Sequence, residues 1–263
     1  MNLNNKMDMA TYKKRGGKPS TKTEKETSIE DGSTTAEVFN TLDESASRTE
    51  EWVIKNQKYI FIVVGFAAIL VLGFLGFDKF IQQPKESVAT NDMFQSQQYF
   101  DQAVNGTSKD SLFTLALNGS DGKYGFLDIA DVYSGTKAGN LSNYYAGMAY
   151  LNMKDYTNAV TYLNAFSSGD DVLGPIAKGG IGDAFVQLEQ LEDAYDYYVQ
   201  AAQLKSNDYT TPMYLYKAGV IGLKLGNNSK ALVFFNQIKS DFPQSTEAKD
   251  IDVFIGKAEA ASN

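Results

Sequence analysis

The stretch YYAGMAYLNMKDYTNAVTYL, residues 144–163, decides the fold, because its small and aromatic residues return twice more at fixed distances. The second copy runs Ile181-Gly182-Asp183-Ala184-Phe185, then Leu191-Glu192-Asp193-Ala194-Tyr195 and Tyr198. The third runs Ala218-Gly219-Val220-Ile221-Gly222, then Asn227-Asn228-Ser229-Lys230-Ala231-Leu232, Phe235 and Pro243. Gly147, Gly182 and Gly219 are 35 and 37 residues apart, Ala159, Ala194 and Ala231 likewise, and each Gly precedes its Ala by twelve. A small residue on each of two antiparallel helices lets them approach closely, and an aromatic one turn away fills the space beside them. The spacing therefore predicts three helix pairs over residues 140–245, with residues 246–263 as a helix covering the open end, since a terminal repeat needs a cover.

At these points the sequence resembles the tetratricopeptide repeat (TPR), whose period is about 34 residues. The small pair, the Tyr150 or Phe185 three positions on, the alanine of the second helix and Pro243 carry the likeness. No unit has the family's tryptophan, Gly222 replaces the aromatic in the third, and the longer spacing between units two and three fits a loop around Ser206-Asn207-Asp208-Tyr209.

Residues 78–139 read as connecting helices forming a degenerate first repeat. One covers Glu86 to Val104 in continuation of an anchor, and shorter ones cover Lys109 to Leu117 and Gly125 to Tyr133. That anchor is Tyr59 to Phe77, YIFIVVGFAAILVLGFLGF, nineteen residues without a charge. As a helix it is about 28 Å long, one hydrocarbon core. It is longer than a secretory signal core and begins only after 58 residues, and it lacks the polar stripe of a soluble core helix. The fold class expected is all-α: a disordered tail, one transmembrane helix, and a TPR-like helical-repeat solenoid.

Residues 1–32 are polar and rich in Lys, Thr, Ser and Gly, too poor in apolar surface to offset chain entropy, so a disordered tail is expected. From Ser33 to residue 58 an amphipathic juxtamembrane helix is expected. Thr34 and Glu37 have capping-box spacing, and Val38, Phe39, Leu42, Ala46, Thr49, Trp52 and Val53 share one face. This helix either rests on the bilayer or a cytosolic partner, or simply continues into the span. Ten of the twenty-four Lys and Arg lie in the first 58 residues. The positive-inside tendency then puts the tail in the cytosol and the large C-terminal part outside.

Composition removes most chemistry. The chain has no cysteine and no histidine, so Ser-His-Asp and Cys-His nucleophiles, nearly all zinc sites and histidine-ligated haem are absent. No phosphate-binding glycine loop occurs; Gly179-Gly180-Ile181-Gly182 sits where the repeat brings helices together and reads as close packing. Asp170-Asp171 and Glu192-Asp193 read as solvated surface, and Asp110, Asp121 and Asp128 lack calcium-loop spacing. The formal net charge is −8, all of it after the span, which disfavours nucleic acid. No enzyme, no cofactor, no metal and no small-molecule substrate are expected.

What remains is a binding surface. In a repeat solenoid the first helix of each pair lines the concave face. The TPR groove positions correspond to Tyr144, Met148, Leu151 and Asn152 in the first unit, and to Gly179, Asp183, Val186 and Gln187 in the second. In the third they correspond to Tyr216, Val220, Leu223 and Lys224. This lining suits an extended or helical protein segment, while the alternative, that these side chains pack within the domain, stays open. Tyr144 and Met148 stand where carboxylate-clamp TPR domains carry Lys and Asn.

The architecture as a whole resembles the YfgM-type ancillary subunit of the SecYEG translocon. That resemblance implies a single-pass protein of the bacterial inner membrane with a periplasmic C-terminal domain. It also implies a place beside the translocon and a periplasmic prolyl isomerase chaperone, assisting exported proteins. The tail here is longer than in that family. The alternative is a TPR scaffold for another envelope complex, in cell-wall or outer-membrane assembly.

Overall fold

The computed structural model describes residues 34–106 and 109–262, with side chains from residue 49 onward. The expected disordered tail, the Thr34–Glu37 box and the apolar face through Ala46 lie outside the described side chains or residues. Among the described residues every regular element is helical. The chain divides into two compact units, one reaching Leu72 and one spanning Gly73–Asn263.

The first helix, α1 (Thr34–Phe77), joins the juxtamembrane segment and the apolar run without a break. Phe61, Phe66 and Phe74 are 64%, 62% and 70% exposed to their surroundings. It is long and apolar enough to cross a membrane, with a mean hydropathy of 2.8 over its most apolar window. A π-helical turn, Asp78–Gln82, follows, and α2 (Gln83–Asn105) continues from it, with Pro84 tolerated in its first turn.

Next come α3 (Lys109–Asn118), α4 (Phe126–Val132) and α5 (Lys137–Asn152). Phe113, Phe126 and Ile129 are fully buried among them, and the ring of Phe126 stacks on Tyr145 of α5 at 5.0 Å. Helix α2 is fixed to the turn before α5 by polar bonds. The Glu86 carboxylate accepts from the backbone N–H groups of Lys137 (2.6 Å) and Ala138 (2.9 Å), Lys85 donates to the Ser134 carbonyl, and the Tyr133 hydroxyl donates to Asp92. Glu86 thus neutralises the electropositive end of α5 and satisfies two of its unpaired donors.

Three helix pairs follow: α5 with α6 (Tyr156–Ala165), α7 (Leu173–Gln187) with α8 (Leu191–Leu204), and α9 (Thr210–Lys224) with α10 (Asn228–Asp241). The glycine-to-alanine rule has a direct physical cause. A Cβ on Gly147 would stand 2.5 Å from Leu163, on Gly182 2.7 Å from Tyr198, and on Gly219 2.4 Å from Phe235. Ala159, Ala194 and Ala231 are fully buried at the same crossings.

The turns within the pairs also repeat. Asp155, Gln190 and Asn227 each donate a backbone N–H back to the carbonyl of Tyr150, Phe185 and Gly222 at 2.8–2.9 Å. The residue before each has a positive φ: Lys154 (64°), Glu189 (60°) and Gly226 (76°). These are helix ends closed through a left-handed residue, and only the third uses glycine for it. Helix α11 (Ile251–Ser262), entered through a short 3-10 turn at Glu247–Asp250, covers α10 by burying Ile251 and Ala258.

Candidate protein-binding site

The first helices of the three pairs, α5, α7 and α9, carry all the residues expected to line a groove, and they divide into three settings. On α5, Tyr144 and Met148 pack against the cluster of Leu163, Ala177 and Ile181, and the Tyr144 ring lies 5.3 Å from Phe166. Leu151 and Met148 reach the bare backbone of Gly180 on α7, each 3.7 Å from where its Cβ would be. Asn152 is exposed, and its amide donates to the Met148 carbonyl of its own helix.

On α7, the position of Gly179 is filled. A Cβ there would stand 1.9 Å from the Tyr214 ring, so this part of the expected lining is occupied by an aromatic from α9. Asp183 is engaged on two sides: it accepts from the Tyr198 hydroxyl and from the Lys217 ammonium, each at 2.6 Å. Lys217 also lies over the rings of Tyr198 (5.4 Å) and Tyr214 (5.7 Å). Its charge is therefore shared between a carboxylate and two π faces. Val186 packs on the core of the second and third pairs. Gln187 is exposed and meets the Tyr156 hydroxyl at 3.4 Å.

On α9, Tyr216 turns to the end cover, edge-on to Phe254 of α11 at 4.9 Å, while Val220 and Leu223 pack against the same core. Lys224 is exposed. Of the twelve expected residues, Asn152, Gln187 and Lys224 are the exposed ones, and they occupy equivalent places, one at the end of each first helix.

Electrostatics follow this geometry. Burial raises the pKa of Tyr198, with Asp183 adding to it, and burial likewise raises that of Tyr214, helped by Asp183, Tyr144 and Tyr209. Both phenols remain neutral at any physiological pH, and Tyr198 keeps its proton as the donor to Asp183. Asp170 accepts from the N–H groups of Leu173 and Val172 at 2.8 Å, bonds that lower its pKa and close the start of α7. Among the described residues no group of three or more Asp or Glu is placed to hold a metal ion.

The sequence pattern assigned no site role to Tyr214 or Lys217, and it placed Tyr198 in the repeat without its bond to Asp183. One signal could have found Lys217: it lies one helical turn before Val220, the repeat equivalent of Asp183, so a carboxylate and an ammonium on successive first helices come within reach of each other.

The tetratricopeptide-repeat family model matches residues 142–168 and 214–245, the first and third helix pairs. No curated protein and no solved structure matches the chain. The chain thus folds into TPR-like helix pairs, two of which match that repeat, a pattern that suggests a protein–protein interaction scaffold, and it carries one helix long and apolar enough to cross a membrane.

Proposed function

We propose that this chain is a single-pass scaffold of the bacterial inner membrane. Its tail is cytosolic, residues 59–77 cross the bilayer, and the repeat domain is periplasmic. There it works as an ancillary subunit of the Sec translocon, receiving exported proteins together with a periplasmic prolyl isomerase chaperone. The observation that carries this reading is one helix run, from the apolar segment through the π turn into α2, from which the TPR-type pairs follow. A tether of this kind confines the domain to the membrane plane, and the raised effective concentration makes a weak groove useful.

The exposed row Asn152, Gln187 and Lys224 and the neighbouring Asp183–Lys217 pair supply the polar contacts of the site, with Tyr144, Met148, Leu151, Val220 and Leu223 setting its apolar depth. No catalytic step is assigned to it. Extraction in mild detergent followed by affinity purification tests the reading: translocon subunits should co-purify, and recovery of a cell-wall or outer-membrane assembly complex instead would replace it with the other scaffold role.

A further inference from the structure

We propose that the outward face of the π turn and α2, continued by Gly73 and Gly76, is the contact for a second copy of this chain, in a parallel pair. Phe80 is 77% exposed, Phe94 61% and Val88 50%, although all three lie on the helix that carries the domain. From Phe80 to Phe100 no exposed residue is charged. The three charged residues of that stretch are turned inward to the α5 turn: Lys85 to Ser134, Glu86 to the N–H groups of Lys137 and Ala138, and Asp92 to Tyr133. Along one side of this stretch the exposed residues are Phe80, Pro84, Ser87, Asn91, Phe94 and Gln98, a neutral strip about 27 Å long at 1.5 Å per residue, with Ile81 and Val88 beside it and the charged Lys79 and Asp101 just beyond its ends.

The spacing of the strip is that of a helix–helix seam. Gly73, Gly76, Phe80, Pro84, Ser87, Asn91, Phe94 and Gln98 recur every three or four residues, the pattern of two helices wound together. One step is too long: Phe80 to Pro84 is a second four in succession. It falls at the π turn, Asp78–Gln82, whose wider turn absorbs an extra residue and keeps both stretches on one face. A Cβ on Gly73 or Gly76 would meet nothing within 4 Å, so the seam's membrane end is open to close approach.

Neutrality selects the occupant. In a parallel two-fold pair each residue lies opposite its own copy, so any charge in the seam meets the same charge. A different partner imposes no such condition, because it can answer a charge with its opposite. The part of the chain after the span has twenty-two acidic residues against fourteen basic, so two copies repel over most of their surface. The strip is where that repulsion is missing, and Asn91 in its middle can bond to its twin and fix the register.

The chain has no cysteine, which makes the test direct. Single cysteines are placed at Ser87→Cys and Asn91→Cys on the seam, and at the exposed Thr161→Cys and Asn236→Cys away from it, in the full chain in proteoliposomes. A disulfide needs Cα atoms within about 7 Å, so oxidation should give seam dimers in about fivefold or greater excess over the distant pair. Phe94→Lys, an exposed change that leaves the fold intact by circular dichroism, should abolish the Ser87→Cys dimer. Equal yields at all four positions, no dimer, or a Ser87→Cys dimer indifferent to Phe94→Lys overturns the proposal. So does a Ser87→Cys thiol that stays monomeric yet shielded from maleimide in native membranes, which assigns the strip to another protein.

Discussion

A Cβ on Gly182 would stand 2.7 Å from Cδ1 of Tyr198, the residue whose hydroxyl bonds the neighbouring Asp183. One glycine thus sets both the closeness of α7 and α8 and the position of the polar knot between the second and third pairs. Gly182→Ala should cost about 1–3 kcal/mol through overpacking. Gly256→Ala, on the exposed face of α11 with nothing within 4 Å, should instead stabilise by about 0.5–1 kcal/mol, since helical glycine gives up more backbone freedom on folding than alanine. Urea titration of both variants distinguishes a packing role for the repeat glycines from a purely conformational one, which predicts gains at both.

The Asp183–Lys217 pair spans two repeats at 2.6 Å with both side chains about one-third exposed. A double-mutant cycle with Asp183→Asn and Lys217→Met should give a coupling of about 1 kcal/mol or less, because solvent screens the pair. Tyr198→Phe should reduce that coupling by removing a bond to the same carboxylate oxygen. An unchanged coupling would mean that the tyrosine and the lysine act on Asp183 independently.

Glu189 and Lys154 stand in the left-handed conformation that Gly226 takes in the third turn. A side chain there costs about 1–2 kcal/mol, part of which glycine loses again as unfolded-state entropy. Glu189→Gly should therefore stabilise by about 0.5 kcal/mol, and Gly226→Ala should destabilise by a similar or larger amount. Paired thermal melts check the two signs.

Tyr133 has its pKa pushed up to about 12, first by its bond to Asp92 and then by burial and the Asp92 charge. A group with a raised folded pKa contributes its full stability below the unfolded value of about 10 and loses it as pH rises through the folded one. The clamp of α2 onto the α5 turn should then weaken between pH 10 and pH 12. Tyr133→Phe should be less stable at pH 7 and show a flatter decline over that window, read by denaturation at each pH.

Much of the fold was legible because its determinants are local and repeated. Gly147, Gly182 and Gly219 with their alanines fixed the pairs, and Gly179 to Gly182 were readable as packing surface. What escaped depends on directions that spacing does not carry. The sequence places Gly179 on the concave side but does not say that Tyr214 from the next repeat fills it. Tyr216 occupies the groove position of Tyr144 two repeats on, yet it turns to Phe254 because α11 offers it a ring. The outward neutrality of α2 up to Phe100 was invisible for the same reason, since Lys85, Glu86 and Asp92 look like surface charges until the α5 turn is seen to hold them.

The proposed function has the first helices hold a translocon-associated protein segment. Photocrosslinking amino acids at Asn152, Gln187 and Lys224, with Asn236 on α10 as the comparison, test it in living cells. The account predicts adducts with a translocon subunit, its chaperone or an exported chain from the first three positions, and none of these from Asn236. Identical adducts from all four positions, or none from the first three, would contradict it.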